Sequence, residues 1–569
     1  MNSRIKTLLI GAFFIILPFS VSADYVGQKT DFFVDSSYDS EGRKEISATL
    51  REKSSQLYFY FEDEYWNSLS DIQKIDINKK LDELSKEFEE HIYPTLTPTF
   101  GIEWKTGIDN DEHITILFHQ MVEDVGGYFN TRDEYEKILM PTSNEREILY
   151  INLNHINSPN LKGYLAHEFM HMITFNQKDN VHGVSEEVWL NEARADYTST
   201  FLGYDKKYDN SNLASRVRNF LNSPSDSLTE WFNEKADYAV VNLFTQYLVE
   251  QYGIEILVDS LTSSKVGISS IEYALDENGF EEDFNQIFSD WVIALLINDC
   301  SVGEKYCYSN ENLSNLRISP KIILIPKYGE TTFSISNIVK DWSGNWHKII
   351  GGKDVLKIEF ENNSQAYFHI PYIVEDINGE LSIGFIEFDG NDQAILYVED
   401  FNDENVSLTI MPLAQSKKIG FNGEESGHRY SFTVSTVEKT PQQKEEEEQE
   451  KLLARIAELK AKIAEIQAKI DSILAQRNQV YCQSLNNNLY FGIQNNEEVR
   501  CLQEFLKNQG EEIYPEGLIT GNFLSLTQKA VIRFQEKFSS EILEPLDLKQ
   551  ATGFVGPSTR AKINQMLKG

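Results

Sequence analysis

Apolar and polar positions follow different rhythms along the chain, and the changes of rhythm divide it. From about residue 30 to 300 the pattern is mixed. Leu57 to Phe61 is an unbroken apolar run, as expected of a buried strand. Ile72, Ile75, Leu81, Leu84 and Phe88 fall near helical spacing, and His113 to His119 and Glu147 to Leu153 predict further strands. Beyond them the pattern is mostly helical to about residue 298. From about 312 to 436 it changes to period two. Leu356, Ile358 and Phe360 alternate with Lys357 and Glu359, and Asn378-Gly379 and Asp389-Gly390 are hairpin signals. This predicts an antiparallel β-sandwich. Its histidines, His347, His369 and His428, are too scattered to form a catalytic constellation and are read as surface or core residues.

Residues 437–451 are rich in Gln, Lys and Glu, as in a solvated linker or helix start. Leu452, Ile456, Leu459, Ile463, Ile466, Ile470 and Ile473 then follow at spacings of four and three, a heptad seam. Isoleucine at both seam positions favours more than two strands, so a homo-oligomer through residues 452–473 is one reading. A single helix packed on a neighbour, or a rigid spacer, is the other.

Composition adds compartment and excludes one class of partner. Arg4 and Lys6, the apolar run Leu8 to Phe19 and the small residues Val21-Ser22-Ala23 read as a signal peptide over residues 1–23. No later segment approaches the roughly 20 apolar residues of a membrane span, so the mature protein is expected outside the cytoplasm. That makes Cys300–Cys307 and Cys482–Cys501 plausible bridges. The net charge of −37 argues against nucleic acid as a partner.

Candidate chemistry is concentrated in His167-Glu168-Phe169-Met170-His171. Histidines at i and i+4 share one helix face and can bind one zinc ion. The intervening glutamate can take the proton of a water that zinc has made acidic. In a chain with 10 histidines the pattern arises by chance about 0.03 times, so it is read as functional. Zinc needs a third protein ligand. Thr174 and Gln177 stand where the metzincin pattern places glycine and histidine, which excludes that pattern. Glu192, on an expected second helix, is the better third ligand than His182, Glu186 or Glu187, which fall before that helix. Asp196, one turn after Glu192, is placed to fix the tautomer of a ligating histidine.

His167-Glu168-Phe169-Met170-His171 followed by Trp189-Leu190-Asn191-Glu192 resembles the gluzincin clan of zinc metallopeptidases, and most closely the hyicolysin-type secreted peptidases. Gly127-Tyr128-Phe129 is also similar to that subfamily. The resemblance covers roughly residues 110–255. It implies Zn2+ held by His167, His171 and Glu192, with Glu168 as general base. Ala193 stands where related sequences usually carry glycine. The clan also uses a Tyr or His donor for the oxyanion, and Tyr238 is the candidate, against a plain packing role at a helix start. The Gly-x-Met-Glu-Asn segment of the aminopeptidase branch is missing, which favours an endopeptidase.

Residues 481–569 resemble the small helical peptidoglycan-binding domain of wall hydrolases. The resemblance rests on Val499 to Leu506, Gly517 to Gly521, Thr527 to Phe538 and Gly553 to Thr559, a use of Gly, Thr and an amphipathic helix twice over. Leu524 stands where that family usually has glycine. The expected organisation is therefore multidomain. A signal peptide (1–23) precedes an α+β zincin-like metallopeptidase domain (24–310) and the antiparallel β-sandwich (311–436). A linker and coiled-coil helix (437–480) and a small α-helical bundle (481–569) follow. The leading expectation is a secreted, wall-associated zinc endopeptidase acting on protein or peptide substrates, with peptidoglycan bound through the last domain. The alternatives are cleavage of peptidoglycan cross-link peptides, and an inactive wall-bound scaffold or adhesion protein.

Overall fold

The computed structural model describes residues 23–326, 332–362, 366–388, 393–416, 423–438, 441–477 and 482–569. The signal-peptide reading, apart from Ala23, and the Asp389-Gly390 hairpin signal lie outside the described residues. The described chain divides into two compact units, the first ending at Glu438.

The first unit is built on a six-stranded sheet. In chain order its strands are β1 (Lys29–Phe33), β2 (Glu45–Lys53), β3 (Leu57–Glu62), β4 (Ile114–His119), β5 (Gly127–Phe129) and β6 (Ile148–Asn152). Their order across the sheet is β1-β2-β3-β4-β6-β5. The β3–β4 and β4–β6 pairs are parallel and the others antiparallel. Parallel neighbours need a long crossover, and the helices α1 (Asp63–Ser68), α2 (Asp71–Glu87) and α3 (Tyr93–Phe100) provide it between β3 and β4. Every residue of β3, β4 and β6 is buried, because both sheet faces are covered. Leu57, Phe59 and Phe61 face the helical core, whereas Tyr58 and Tyr60 pack with Phe32, Ile46 and Leu50 on the opposite face. Residues 29–53 are thus integral to the sheet.

On α2 the buried face is Ile77, Leu81 and Leu84, while Ile72 and Ile75 are exposed. The expected apolar stripe therefore holds only for the last two turns. A capping box, Ser70 with Gln73, fixes where the helix begins. The helical layer continues with α4 (Leu161–Phe175), α5 (Val188–Phe201), α6 (Asn212–Asn222), α7 (Lys235–Tyr252), α8 (Glu255–Thr262), α9 (Gly267–Glu277) and α10 (Phe284–Ile297). Just after α10, Cys300 and Cys307 are joined by a disulfide.

Residues 321–437 form a four-stranded sheet and a five-stranded sheet, with a two-stranded pair beside them. Asn378-Gly379 lies in the turn joining two antiparallel strands, Pro371–Asp376 and Leu381–Phe385, with Gly379 in the left-handed region. One edge differs from the fully antiparallel expectation: Lys321–Ile325 runs parallel to His347–Gly351. Between these two strands the chain leaves for the other sheet as Thr332–Lys340, and such a crossover returns it in the same direction. The three histidines here have structural partners. His347 contacts Tyr430 Oη, His369 meets Ser289 Oγ of α10, and His428 meets Asp341.

The expected boundary near residue 310 marks a change of secondary structure and not a break in the core. Trp342, Trp346, Ile373, Met411 and Leu413 belong to the same apolar cluster as Phe284, Phe288 and Trp291 of α10. Trp342 stacks edge-on against Phe284 and Phe288, at 4.9 and 5.4 Å between centroids. Its carbonyl accepts from Leu228 N–H at 2.9 Å, and Trp346 Nε1 donates to the Val292 carbonyl at 3.2 Å.

The second unit contains one continuous helix, α11 (Pro441–Arg477), of 37 residues. At 1.5 Å per residue it extends about 55 Å. Its seam from Leu452 to Ile473 is 39–65 % exposed. Glu458–Lys462 and Glu465–Lys469 pairs, one turn apart, support the helix from outside the seam.

Three further helices of this unit, α12 (Glu497–Asn508), α13 (Ser525–Lys537) and α15 (Pro557–Lys568), enclose a separate apolar core, with the short α14 (Ser539–Ile542) between the last two. Two buried glutamines organise it. Gln503 Oε1 accepts from Thr520 N–H and Gly521 N–H, and its Nε2 donates to the Asn522 carbonyl and Thr527 Oγ1. Gln535 does the same with Thr552, Gly553, Phe554 and Thr559. Gly521 and Gly553 both have positive φ, which favours glycine at each. Leu524 and Gly556 are likewise equivalent, but both are extended, so leucine fits there without backbone strain. Cys482 and Cys501 are bridged, tying the start of the module to α12.

Candidate metal centre and active site

α4 and α5 pack side by side and carry the candidate residues on facing sides. α4 is apolar nearly all round and almost wholly buried, as a helix between a sheet and other helices must be. His167 and His171 project from it one turn apart, and Glu192 faces them from α5. One ligand atom from each lies within 4.8 Å of the others. The His167 and His171 Nε2 atoms are 3.1 Å apart, and Glu192 Oε2 is 3.2 and 3.5 Å from them. Glu192 Oε2 is buried without a hydrogen-bond partner. Two nitrogens and an oxygen converging in this way satisfy one another poorly. Around a tetrahedral zinc, ligand atoms at about 2.0–2.1 Å would stand about 3.3 Å from each other, so this set fits the metal.

The outer ring nitrogens explain the orientation. His171 Nδ1 lies 3.0 Å from Asn191 Oδ1, which fixes the tautomer that leaves Nε2 free. Asp196 lies 4.0 Å from His167 Nδ1, beyond hydrogen-bond length. Its oxygens are instead taken by Arg216, Asn212 and Asn242 at 2.6–3.0 Å. Asp196 therefore anchors a buried network behind His167, and Asn191 is the residue in direct contact with one of the two histidine rings.

The charges bear this out. Burial opposes ionisation of Glu192, but His171 and His167 hold its carboxyl well below the usual range. Burial also opposes the charged form of His171, yet Glu192 and Glu168 push it up to about 9. Glu168 is raised by burial, while His167 and His171 pull it down and the Phe129 N–H helps to stabilise its charge.

That N–H belongs to the edge strand. The predicted strand before α4, β6, is not the sheet edge, because the three-residue β5 lies outside it. Asn152, at the end of β6, holds the preceding loop by donating to the Val122 and Val125 carbonyls. Gly127 lets β5 pass close over Glu168: a Cβ there would lie 2.5 Å from the Tyr150 carbonyl oxygen and 3.1 Å from Glu168 Cγ. Gly127→Ala is expected to displace the edge strand and lower kcat/KM about 10²-fold with metal content unchanged. Steady-state assays with metal analysis check this, and unaltered kinetics would remove the strand from the site.

Tyr238, in the first turn of α7, has its ring 6.5 Å from that of His167, with the Arg216 guanidinium 4.8 Å over its own ring. Its hydroxyl donates to Asn233 Oδ1 at 2.9 Å. Burial, then Glu192, raise its pKa, so it remains a protonated donor. Tyr38 also enters the site. Its ring lies tilted against that of Tyr128, 5.0 Å between centroids, and after burial the carboxylates that raise it include Glu192 and Glu168. Beside His171 a cavity of about 200 Å³ is lined by Phe129, Thr131, Thr174, Phe175 and Asn191 among others. The rival ligands are otherwise engaged. Glu186 pairs with buried Arg194 at 2.8 Å, Glu187 accepts from Trp189 Nε1, and the ligand cluster does not include His182.

No protein-family model matches the chain. It is 30% identical over 201 residues to the neutral metalloprotease ShpI of Staphylococcus hyicus, a match spanning 31% of this chain and 43% of that protein. Among solved structures, the pre-peptidase C-terminal domain of a Bacillus anthracis collagenase aligns with 20% of this chain and 96% of its own, at 8% identity and a TM-score of 0.15. The Aeromonas hydrophila lysozyme inhibitor PliG aligns with 21% of this chain and 98% of its own, at 14% identity and a TM-score of 0.14. Neither structural likeness is close enough to define a fold. The similarity to a metalloprotease, together with a cluster able to hold a metal, supports a metallopeptidase.

Proposed function

We propose that the chain is a secreted zinc endopeptidase of the gluzincin type, held at the cell wall by its C-terminal module. The observation that carries the reading is the convergence of His167, His171 and Glu192 with Glu168 buried beside them. His167, His171 and Glu192 would hold zinc, whose Lewis acidity makes water nucleophilic near neutral pH. The protein's own residues do the rest. A substrate strand pairs along the exposed edge of β5. The Glu168 carboxylate takes the proton of the attacking water and passes it to the leaving amine nitrogen. As charge develops on the substrate carbonyl oxygen, Tyr238 Oη exchanges Asn233 for that oxygen. Secretion is supported by the signal-like residues 1–23 and the two disulfides, and no described helix is long and apolar enough to cross a membrane. Wall association rests on the resemblance of residues 481–569.

The mature chain is expected to contain about one zinc per molecule. It should cleave casein and lose that activity to a chelator. Digestion of purified sacculi alone would favour the cross-link peptidase, and cleavage of neither substrate by the zinc-loaded chain would favour a scaffold. Tyr238→Phe should lower kcat about 10²–10³-fold with zinc retained. Unchanged turnover removes Tyr238 from the reaction.

A further inference from the structure

A second cluster of buried carboxyls lies away from the candidate zinc ligands. Glu134 ends a short turn after β5 (Thr131–Glu134), and Glu147 directly precedes β6. Each is 3 % exposed. Neither oxygen of Glu134 has a hydrogen-bond partner, and neither does Glu147 Oε2. Glu147 Oε1 accepts from Ile108 N–H at 2.9 Å. Each carboxyl bears on the ionisation of the other as a close neighbour. The backbone of Gly107 closes over Glu147 so tightly that a Cβ there would fall 1.7 Å from Oε2.

The surroundings offer no compensating charge. The charges acting most strongly on Glu134 come from Glu147, Asp133 and Asp109, all acidic. Arg146 is engaged with Asp24 at 3.1 Å and with Thr115. Arg132 turns to Asp35, at 3.6 Å. Two adjacent carboxylates buried without donors are strongly disfavoured. Two things resolve the conflict: a proton shared between them, or a cation. Carboxylate oxygens without nitrogen or sulfur donors suit a hard ion and not zinc.

We propose that Glu134 and Glu147 bind a calcium ion that ties the turn after β5 to the start of β6. Water and main-chain oxygens would complete the shell. So few carboxylates suit a site of about 10⁻⁴–10⁻³ M, the range of extracellular calcium modules. The tied segment follows directly on Phe129 and Thr131, which line the cavity beside His171. The ion would therefore brace one wall of the cleft. This site stands independently of the peptidase reading.

The test uses the full mature chain in the Glu168→Gln background, which prevents self-cleavage. Calcium binding is measured by calorimetry, and thermal unfolding is followed from chelator to 10 mM calcium. One saturable site and a Tm rise of about 2 °C or more are expected. Both should disappear in Glu134→Gln and in Glu147→Gln. Glutamine supplies the donor that a shared proton would supply, so both variants should still fold. If the parent neither binds calcium nor gains stability from it, the pair only shares a proton and the proposal fails. Calcium stabilisation that persists in both variants places the ion elsewhere and also overturns it.

Discussion

Glu168→Gln removes peptide hydrolysis, by about 10²–10⁴-fold in kcat, while the chain keeps its metal. The two halves of this result have separate physical origins. The proposed ligand atoms belong to His167, His171 and Glu192, and the substitution leaves all three in place. Glutamine has the shape of glutamate and can still accept from Phe129 N–H, so β5 and α4 keep their spacing. What is lost is the carboxylate proposed to take a proton from water and return it to the leaving nitrogen. A fluorogenic peptide assay beside elemental analysis measures both halves. Activity within threefold of the parent, at equal metal, would dismiss Glu168 as the base. Loss of the metal would mean that the carboxylate is part of the binding set.

Trp342→Ala should lower the stability of the whole first unit by about 3–5 kcal/mol. Trp342 is 1 % exposed, and its Nε1 donates to the Ser416 carbonyl at 2.8 Å. Its ring fills the angle between Phe284 and Phe288. Deleting it leaves a cavity where the helical layer and the sheets of residues 321–437 share one core, so both should lose stability together. Calorimetry should show a single transition for residues 24–438, moved as a whole by the variant. Two resolved transitions, with only one of them moved, would show two independent cores.

The legible parts of the molecule were those that local spacing determines. His167, Glu168 and His171 lie on one helix turn, and Glu192 follows a recognisable Trp-Leu-Asn sequence, so spacing alone was enough to nominate them. The cysteine pairs are close in sequence and needed little more than an oxidising compartment. Features that depend on distant chain segments were not legible. Tyr38 reaches the site from a loop after the first strand, about 130 residues before the zinc motif. Three residues of β5 are too few for a periodic signal. Asn191 could have been found, since it stands next to Glu192. Asp196 has the right spacing for His167, but three stronger donors draw its carboxylate away. The shared core around Trp342 was hidden because a buried face records that it is covered and not by what.

The paired glutamine clamps of the C-terminal module bear on how its two halves depend on each other. Gln503 and Gln535 bind equivalent donors and acceptors with the same atoms, and the glycines they hold match as well. The same local arrangement is thus used twice within one module. One copy alone would leave Val499, Leu502, Val531 and Phe534 facing water, because the core draws side chains from both halves. Neither half is therefore expected to fold without the other, and the module should unfold as one unit.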